Sequence, residues 1–334
     1  MVKSSDVLSA GATVSDACGG RMLAEESDYA RMVDMASVDI GIVIVNYNTR
    51  ELLQRCLESV LASERPDGSP VIRVIVVDND SQDGSAEMVA TTFPDVELIH
   101  NRTNVGYPAA NNQGLARLGF GGEDLAAAPR YALLLNADTE VPPDALAAVV
   151  AYADRDEEIG VLGPKLVRPD GSLDLACRRS FPTLEVSAYR MLGLSKLFPR
   201  SRRFGRYNLT YLDPDATTEV DAVVGAFMMV RQEAIAAAGL LDEAFFMYGE
   251  DLDWAYRIKA AGWKVIYFPR VTVLHVKRAS SRQSPRAQVE FWRSMEIFYR
   301  KHYAATTPRL LHAAVIGAIR LQTRWVRWRN RNAL

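Results

Sequence analysis

"DIGIVIVNYNTRELLQRCLESVLAS", residues 39–63, is the stretch whose reading decides the fold. Residues 40–45 form an unbroken apolar run, and Leu52, Leu53, Cys56, Leu57, Val60 and Leu61 then recur at helical spacing. A buried strand therefore passes directly into an amphipathic helix. The same plan returns in "VIRVIVVDNDSQDGSAEMVATTF" (71–93), "VELIHNRTNVGYPAANNQGLARL" (96–118) and "YALLLNADTEVPPDALAAVVAYA" (131–153). Four strand-to-helix units in succession predict an α/β protein: a mostly parallel sheet with helices on both faces and functional loops at the carboxyl ends of the strands.

Outward from that core the pattern is less regular. "GVLGPKLVRPDGSLDLACRRSFPT" (160–183) reads as short strands around a Pro-Asp-Gly turn, and residues 191–218 as a loop-rich excursion. Between 220 and 276 the sequence predicts a strand at 224–230, helices at 232–238 and 250–261, and strands at 263–268 and 271–276. Ser284-Pro285 is a helix start, and the stretch from Pro308 reads as a basic C-terminal helix. Residues 1–38 mix Ser, Gly, Ala and acids without the apolar core of a signal peptide. They are expected to form a flexible leader, with translation starting at one of its later Met residues.

The chain has 334 residues, is 49% hydrophobic and carries a formal net charge of −2, which describes a globular protein of one large domain or two. Such a charge gives no global field to gather nucleic acid, and no recognised nucleic-acid module accompanies the local basic clusters. Cys18, Cys56 and Cys177 are odd in number, widely spaced and lack a C-x-x-C, so neither a disulfide framework nor a zinc site is indicated. A reducing, cytoplasmic compartment fits. No stretch reaches the roughly 18 apolar residues that span a bilayer. "VNYNTREL" contains no glycine, which removes a dinucleotide fingerprint and a P-loop after the first strand.

Polar residues gather where three strands stop: Asn46, Tyr47 and Asn48 after the first, Asp78, Asn79, Asp80 and Ser81 after the second, Asn136 and Asp138 after the fourth. Each set alone is ordinary turn and N-cap chemistry. Adjacent parallel strand ends would bring all three into one crevice. Asn136 and Asp138, two apart on extended backbone, can face a common ligand, and their oxygens suit a hard divalent ion that takes its remaining ligands from phosphate and water. Glu250, Asp251 and Asp253 begin a predicted helix, where acids cap well and where one could equally act as a general base. His275 ends "VTVLHV" before Lys277 and Arg278; a lone His is more often structural, yet this one could serve metal and diphosphate together.

The ordered succession "VIVNYN", "VVDNDSQDGS", "NVGYPAANNQG", "LLLNADTEVPPD", "VGAFMMVRQEA", "DEAFFMYGEDLDWAYRIKAAGW" and "VLHVKRASS" resembles the inverting family 2 glycosyltransferases of the GT-A fold, most of all their bacterial rhamnosyltransferase branch. The resemblance covers roughly residues 39 to 285. It implies a GT-A domain at 39–283, with a nucleotide-binding half at about 39–145 and an acceptor half at about 146–283, followed by C-terminal helices at 284–334. It further implies that Tyr47 packs on the base and Asp78 contacts base or ribose, with Asn48 and Asn79 beside them. Asn104, Gly106 and Asn111 would shape the nucleotide-sugar pocket together with Asn136. Asp138 would be the metal-binding acid, for Mg2+ or Mn2+, and His275 a further contact to metal or diphosphate. Asp251 of the Glu250-Asp251 pair would be the catalytic base. Asn136 stands where many relatives carry an Asp, which leaves the ion one carboxylate poorer.

The implied reaction is transfer of a sugar, L-rhamnose from dTDP-rhamnose being favoured, to a glycan acceptor carried on a polyprenyl diphosphate. Two other readings are a sugar nucleotidyltransferase, disfavoured by the missing glycine-rich loop, and a catalytically silent nucleotide-sugar-binding partner of a synthase, supported only by Asn136. "LSKLFPRSRRFGRY" (194–207) and "IGAIRLQTRWVRWRNRN" (316–332) set Arg beside Leu, Phe and Trp. These are either solvated faces or a means of holding the enzyme peripherally on an anionic membrane surface. In the second case Trp325 and Trp328 would sit at the interface and Arg320, Arg324, Arg327, Arg329 and Arg331 near headgroups.

Overall fold

The computed structural model describes residues 38–63, 70–122, 128–277 and 285–331. The expected leader lies almost wholly outside them, as do Cys18, Arg278 and the Ser284 cap. Strand β1 (Ile40–Asn46) feeds helix α1 (Arg50–Leu61), and β2 (Ile72–Asp78) feeds α2 (Ser85–Thr92). Next, β3 (Glu97–His100) feeds α3 (Tyr107–Arg117), and β4 (Tyr131–Asn136) leads through the two-residue β5 (Thr139–Glu140) to α4 (Ala145–Ala153). The four predicted units are present. In α1 the residues that repeat at helical spacing, Leu52, Leu53, Cys56, Leu57 and Val60, are the ones buried against the sheet.

The second half adds β6 (Ile159–Val167), the short helices α5 (Leu184–Met191) and α6 (Leu194–Leu197), β7 (Thr218–Glu219) and β8 (Phe227–Arg231). It continues with α7 (Gln232–Ala238), α8 (Glu250–Ala260), β9 (Lys264–His275), α9 (Pro285–His302) and α10 (Arg309–Arg329). One sheet runs in the order β3-β2-β1-β4-β8-β6-β9-β5, with β7 on the side of β9. Strands β3, β2, β1 and β4 are parallel, as is the long β6–β9 pair, so most of the paired length is parallel. Strand β8 runs antiparallel to both β4 and β6. This mixed α/β sheet with a C-terminal helical region is the architecture expected.

Two local expectations change. The strands expected at 263–268 and 271–276 are one strand, β9, whose register against β6 jumps from Phe268 opposite Pro164 to Thr272 opposite Lys165. Pro269, which has no N–H to give the ladder, falls in that bulge. The strand expected from 224 begins at Phe227 instead, because Val224 and Gly225 turn across the strand ends, closed by the Phe227 N–H to Val224 carbonyl bond of 3.3 Å.

Candidate functional site

Register explains why the first two polar clusters meet. Asn46 pairs with Asp78 across β1 and β2, and Val45 pairs with Asn136 across β1 and β4. Asn46 is buried and donates to Asp78 Oδ2 at 2.8 Å and to Ser81 Oγ at 3.0 Å, while Ser81 N–H donates to Asp78 Oδ1 at 2.9 Å. Asp78, fully buried, thus ties the loops after β1 and β2 together, with His100 Nε2 3.7 Å from its Oδ1. Asn48 sits in the left-handed region at φ 54°, its Oδ1 accepting from Gln82 N–H at 2.7 Å. Tyr47 beside it is 52% exposed, so its ring lies at the rim of the crevice.

The third strand contributes through its following loop. Asn79 donates to the Gly106 carbonyl at 3.2 Å and accepts from Asn101 at 2.9 Å, and Asn104 accepts from Gly106 N–H at 3.0 Å. Gly106 has φ 92°, and a Cβ there would come within 2.8 Å of the Phe246 carbonyl oxygen, so only glycine lets this loop lie against 245–248. Tyr107 N–H in turn donates to Phe246 O at 2.8 Å. Asn111, on the first turns of α3, donates to the Tyr107 carbonyl at 2.8 Å, while its own Oδ1 is buried without a partner.

Tyr107, which the sequence reading passed over, is the hub of the site. Its hydroxyl lies 3.1 Å from Asn136 Oδ1 and 3.0 Å from the Gly225 carbonyl. Burial first, then the nearby negative charges of Glu250, Asp251 and Asp138, hold its phenol far above the ordinary range. The β4 end and, through Gly225, the start of α8 therefore meet at this half-buried ring.

Asp138 and His275 are brought together by backbone pairing. Thr139 of β5 pairs with His275 of β9, and Val276 N–H donates to the Asp138 carbonyl at 2.8 Å. His275 Nε2 then lies 3.3 Å from Asp138 Oδ1, and Nδ1 lies 3.0 Å from Asp174 Oδ2. Lys277 Nζ completes the chain, 2.9 Å from Asp174. Burial lowers the His275 proton affinity, but the two carboxylates together outweigh it and the net shift is upward. Asp174 is pushed strongly down, since His275 and Lys277 overcome its own desolvation. An imidazole with one nitrogen on a carboxylate and the other toward an acid is the arrangement that orients a metal-ligating His. The Asp138 carboxylate is the kind of oxygen donor that suits Mn2+ or Mg2+ when phosphate and water complete the shell. Among the described residues no group of three or more His, Cys, Asp or Glu could hold a metal alone.

The acids of α8 separate by environment. Asp251 Oδ2 accepts from Arg179 at 2.7 Å and from Gly225 N–H at 3.1 Å, and Oδ1 accepts from Leu252 N–H at 2.8 Å. Glu250 is buried with Oε2 unpartnered, and burial followed by the Asp251 charge pushes its carboxyl up to about 8. Asp253 faces elsewhere: it binds His302, Lys301 and Arg257, fastening α9 to α8, and so is a structural residue. Cys56 lies near Thr139, but complete burial pushes its thiol to about 12, which makes it a packing residue and no nucleophile.

Arg179 and Asp174 escaped the sequence reading. Both lie in the irregular 160–183 stretch, and the only available signal was charge in an otherwise apolar segment that must be buried. Backbone strain marks the same place: of the five described non-glycine residues with positive φ, Asn48, Asp80, Tyr248 and Lys277 border these loops.

Comparison with known proteins identifies the family and the fold. The chain is 32% identical over 250 residues to the N-acetylglucosaminyl-diphospho-decaprenol L-rhamnosyltransferase of Mycobacterium tuberculosis (strain CDC 1551 / Oshkosh), covering 74% of this chain and 78% of that protein. It is 24% identical over 246 residues to rhamnosyltransferase WbbL of Escherichia coli K12, covering 73% and 85%. In fold it matches the mannosyltransferase PcManGT of Pyrobaculum calidifontis, solved with GDP-Man and Mn2+, at a TM-score of 0.52 and 18% identity over 86% of this chain and 71% of that one. It matches GalNAc-T7, solved with UDP, GalNAc and Mn2+, at a TM-score of 0.51 and 17% identity over 87% and 56%. Residues 41–236 fit the family model described as glycosyl transferase family 2, and the chain belongs to that family of glycosyltransferases, on a GT-A fold.

Proposed function

We propose that this glycosyltransferase moves a sugar, with inversion, from a nucleotide diphosphate donor to a glycan on a polyprenyl diphosphate, and that the donor is dTDP-rhamnose. The observation that supports the proposal is the Tyr107 hub: its hydroxyl bonds Asn136 at the end of β4 and the carbonyl of Gly225, whose own N–H bonds Asp251 at the start of α8. One displacement needs one base beside the reacting carbon and a separate place for the leaving diphosphate, and the two ends supply these. The mycobacterial relative, named for rhamnosyl transfer to a diphospho-decaprenol acceptor, supports the choice of donor and acceptor class.

In this reading the base stacks on Tyr47, and Asp78, Asn48 and Asn79 hold base and ribose. Asn104, Gly106, Asn111 and Asn136 border the sugar. Asp138 and His275 would hold a divalent ion, Mn2+ or Mg2+, which would offset charge on the departing phosphate; such stabilisation is worth on the order of 3 kcal/mol per donor. Asp251, held by Arg179 and the Gly225 N–H, takes the proton from the acceptor hydroxyl. No second carboxylate acts as nucleophile, because no covalent sugar intermediate forms. The enzyme works in the cytoplasm at the inner face of the cell membrane, where α10 presents Trp325, Trp328 and its arginines to anionic lipid. No described helix is long and apolar enough to cross a membrane.

The test is a panel of nucleotide sugars offered with membrane extract, with and without Mn2+ or Mg2+. Rhamnosyl transfer supports the proposal. Pyrophosphate release from a nucleoside triphosphate, or donor binding without turnover, would replace it. Asp251→Asn should cut transfer by about 10³-fold or more while leaving donor affinity within about twofold.

A further inference from the structure

Between Asp174 and β7 the chain leaves the sheet and builds a finger, α5 and α6 joined through Leu192 and Gly193, the latter at φ 75°. It is a folded unit. Thr183 Oγ1 caps α5 by accepting from Val186 N–H, Tyr189 and Phe198 both pack on Phe204, and Arg190 lies 4.3 Å over the Tyr207 ring. The Ser180 N–H to Tyr207 carbonyl bond of 2.8 Å closes its base. Its outward end does the opposite of what a solvated loop should do. Met191 is 57% exposed, Leu192 73%, Leu197 68% and Phe198 48%, four large apolar side chains within eight residues.

The charge around that end is one-sided. Residues 184–206 carry Arg190, Lys196, Arg200, Arg202, Arg203 and Arg206 against the single acid Glu185, in a chain whose formal net charge is −2. All six cations are exposed. An apolar tip ringed by long cationic side chains fits one surface, the headgroup boundary of an anionic bilayer. There the apolar groups enter the acyl edge while each nearby cation is drawn to the anionic headgroups. A protein partner of matching chemistry would need an acidic rim around an apolar socket; a bilayer offers both without a designed fit.

We propose that the α5–α6 finger dips into an anionic membrane surface and thereby aims the catalytic crevice at the lipid-borne acceptor; this rests on the acceptor class proposed above. The root of the finger makes the connection. Asp174, which backs His275, and Arg179, which grips Asp251, lie on the strap that enters α5. Seating the finger therefore seats the strap that holds both ends of the site.

The experiment uses the full chain and phosphatidylcholine vesicles with or without phosphatidylglycerol, without donor or acceptor. Wild-type protein should sediment with the anionic vesicles and not with the neutral ones. Leu192→Glu/Leu197→Glu should lower that partition by about tenfold or more, with unchanged thermal unfolding and unchanged transfer to a water-soluble acceptor lacking the lipid. Trp325→Glu/Trp328→Glu serves as the comparison for α10. Anionic partition of the finger variant equal to wild type would overturn the proposal. So would a wild-type dimer that Leu192→Glu dissociates, which would make the tip a contact between copies. Failure of the acceptor reading shows separately, as wild-type protein that binds vesicles and transfers to no polyprenyl-linked glycan.

Discussion

At the residue scale, two neighbouring carboxylates at the start of α8 are put to different uses. Asp251 is ionically paired and backbone-bonded, so its position is fixed. Removing Arg179 would leave that buried charge uncompensated, at a cost of about 3–5 kcal/mol. Glu250 instead keeps a proton that the unfolded chain would have lost, its carboxyl standing at about 8 against 4.5. Because the folded state binds more protons between those values, stability falls as pH rises from about 4.5 toward 8. Glu250→Gln should therefore melt several degrees above wild type at pH 8, and thermal scans should show that gap closing near pH 5. An equal melting temperature at both pH values would mean that Glu250 is solvated. Asp174 makes a second case. Asp174→Asn removes the charge that orients His275, and Mn2+ titrated into the protein with a nucleoside diphosphate, followed by electron paramagnetic resonance, should bind about 10- to 100-fold more weakly. Unchanged affinity would detach His275 from the metal.

At the element scale, the strand ends were legible in the sequence and the irregular strap was not. Asn46, Asp78 and Asn136 could be grouped beforehand because each ends an apolar run, and parallel pairing places such ends side by side. Asp174 and Arg179 meet their partners across 101 and 72 residues, from a segment with no period to fix which way a side chain faces. Strand β5 was also invisible: two residues cannot show alternation, and only its pairing with β9 makes it a strand. Helix α3 presses on β1 through Gly114, where a Cβ would meet Val43 Cγ1 at 2.5 Å. Gly114→Ala should cost about 1–3 kcal/mol in chemical denaturation. A loss below about 0.5 kcal/mol would show that Val43 yields freely.

At the scale of the whole molecule, one sheet carries both halves of the chemistry. Its parallel part, β3-β2-β1-β4, was readable as four repeats of one plan; the antiparallel turn at β8 was not, since a strand's apolar run does not encode its direction. That reversal matters because β8 is preceded by Gly225, whose N–H and carbonyl join Asp251 to Tyr107. The central claim is that a nucleotide diphosphate lies across this junction. A crystal structure with dTDP and Mn2+ tests it most directly. The account predicts manganese on Asp138 with His275 close by, the diphosphate between them and the β1 and β2 ends, and the sugar side of the crevice open toward Glu250 and Asp251. A diphosphate bound anywhere else, or manganese away from Asp138, would contradict it.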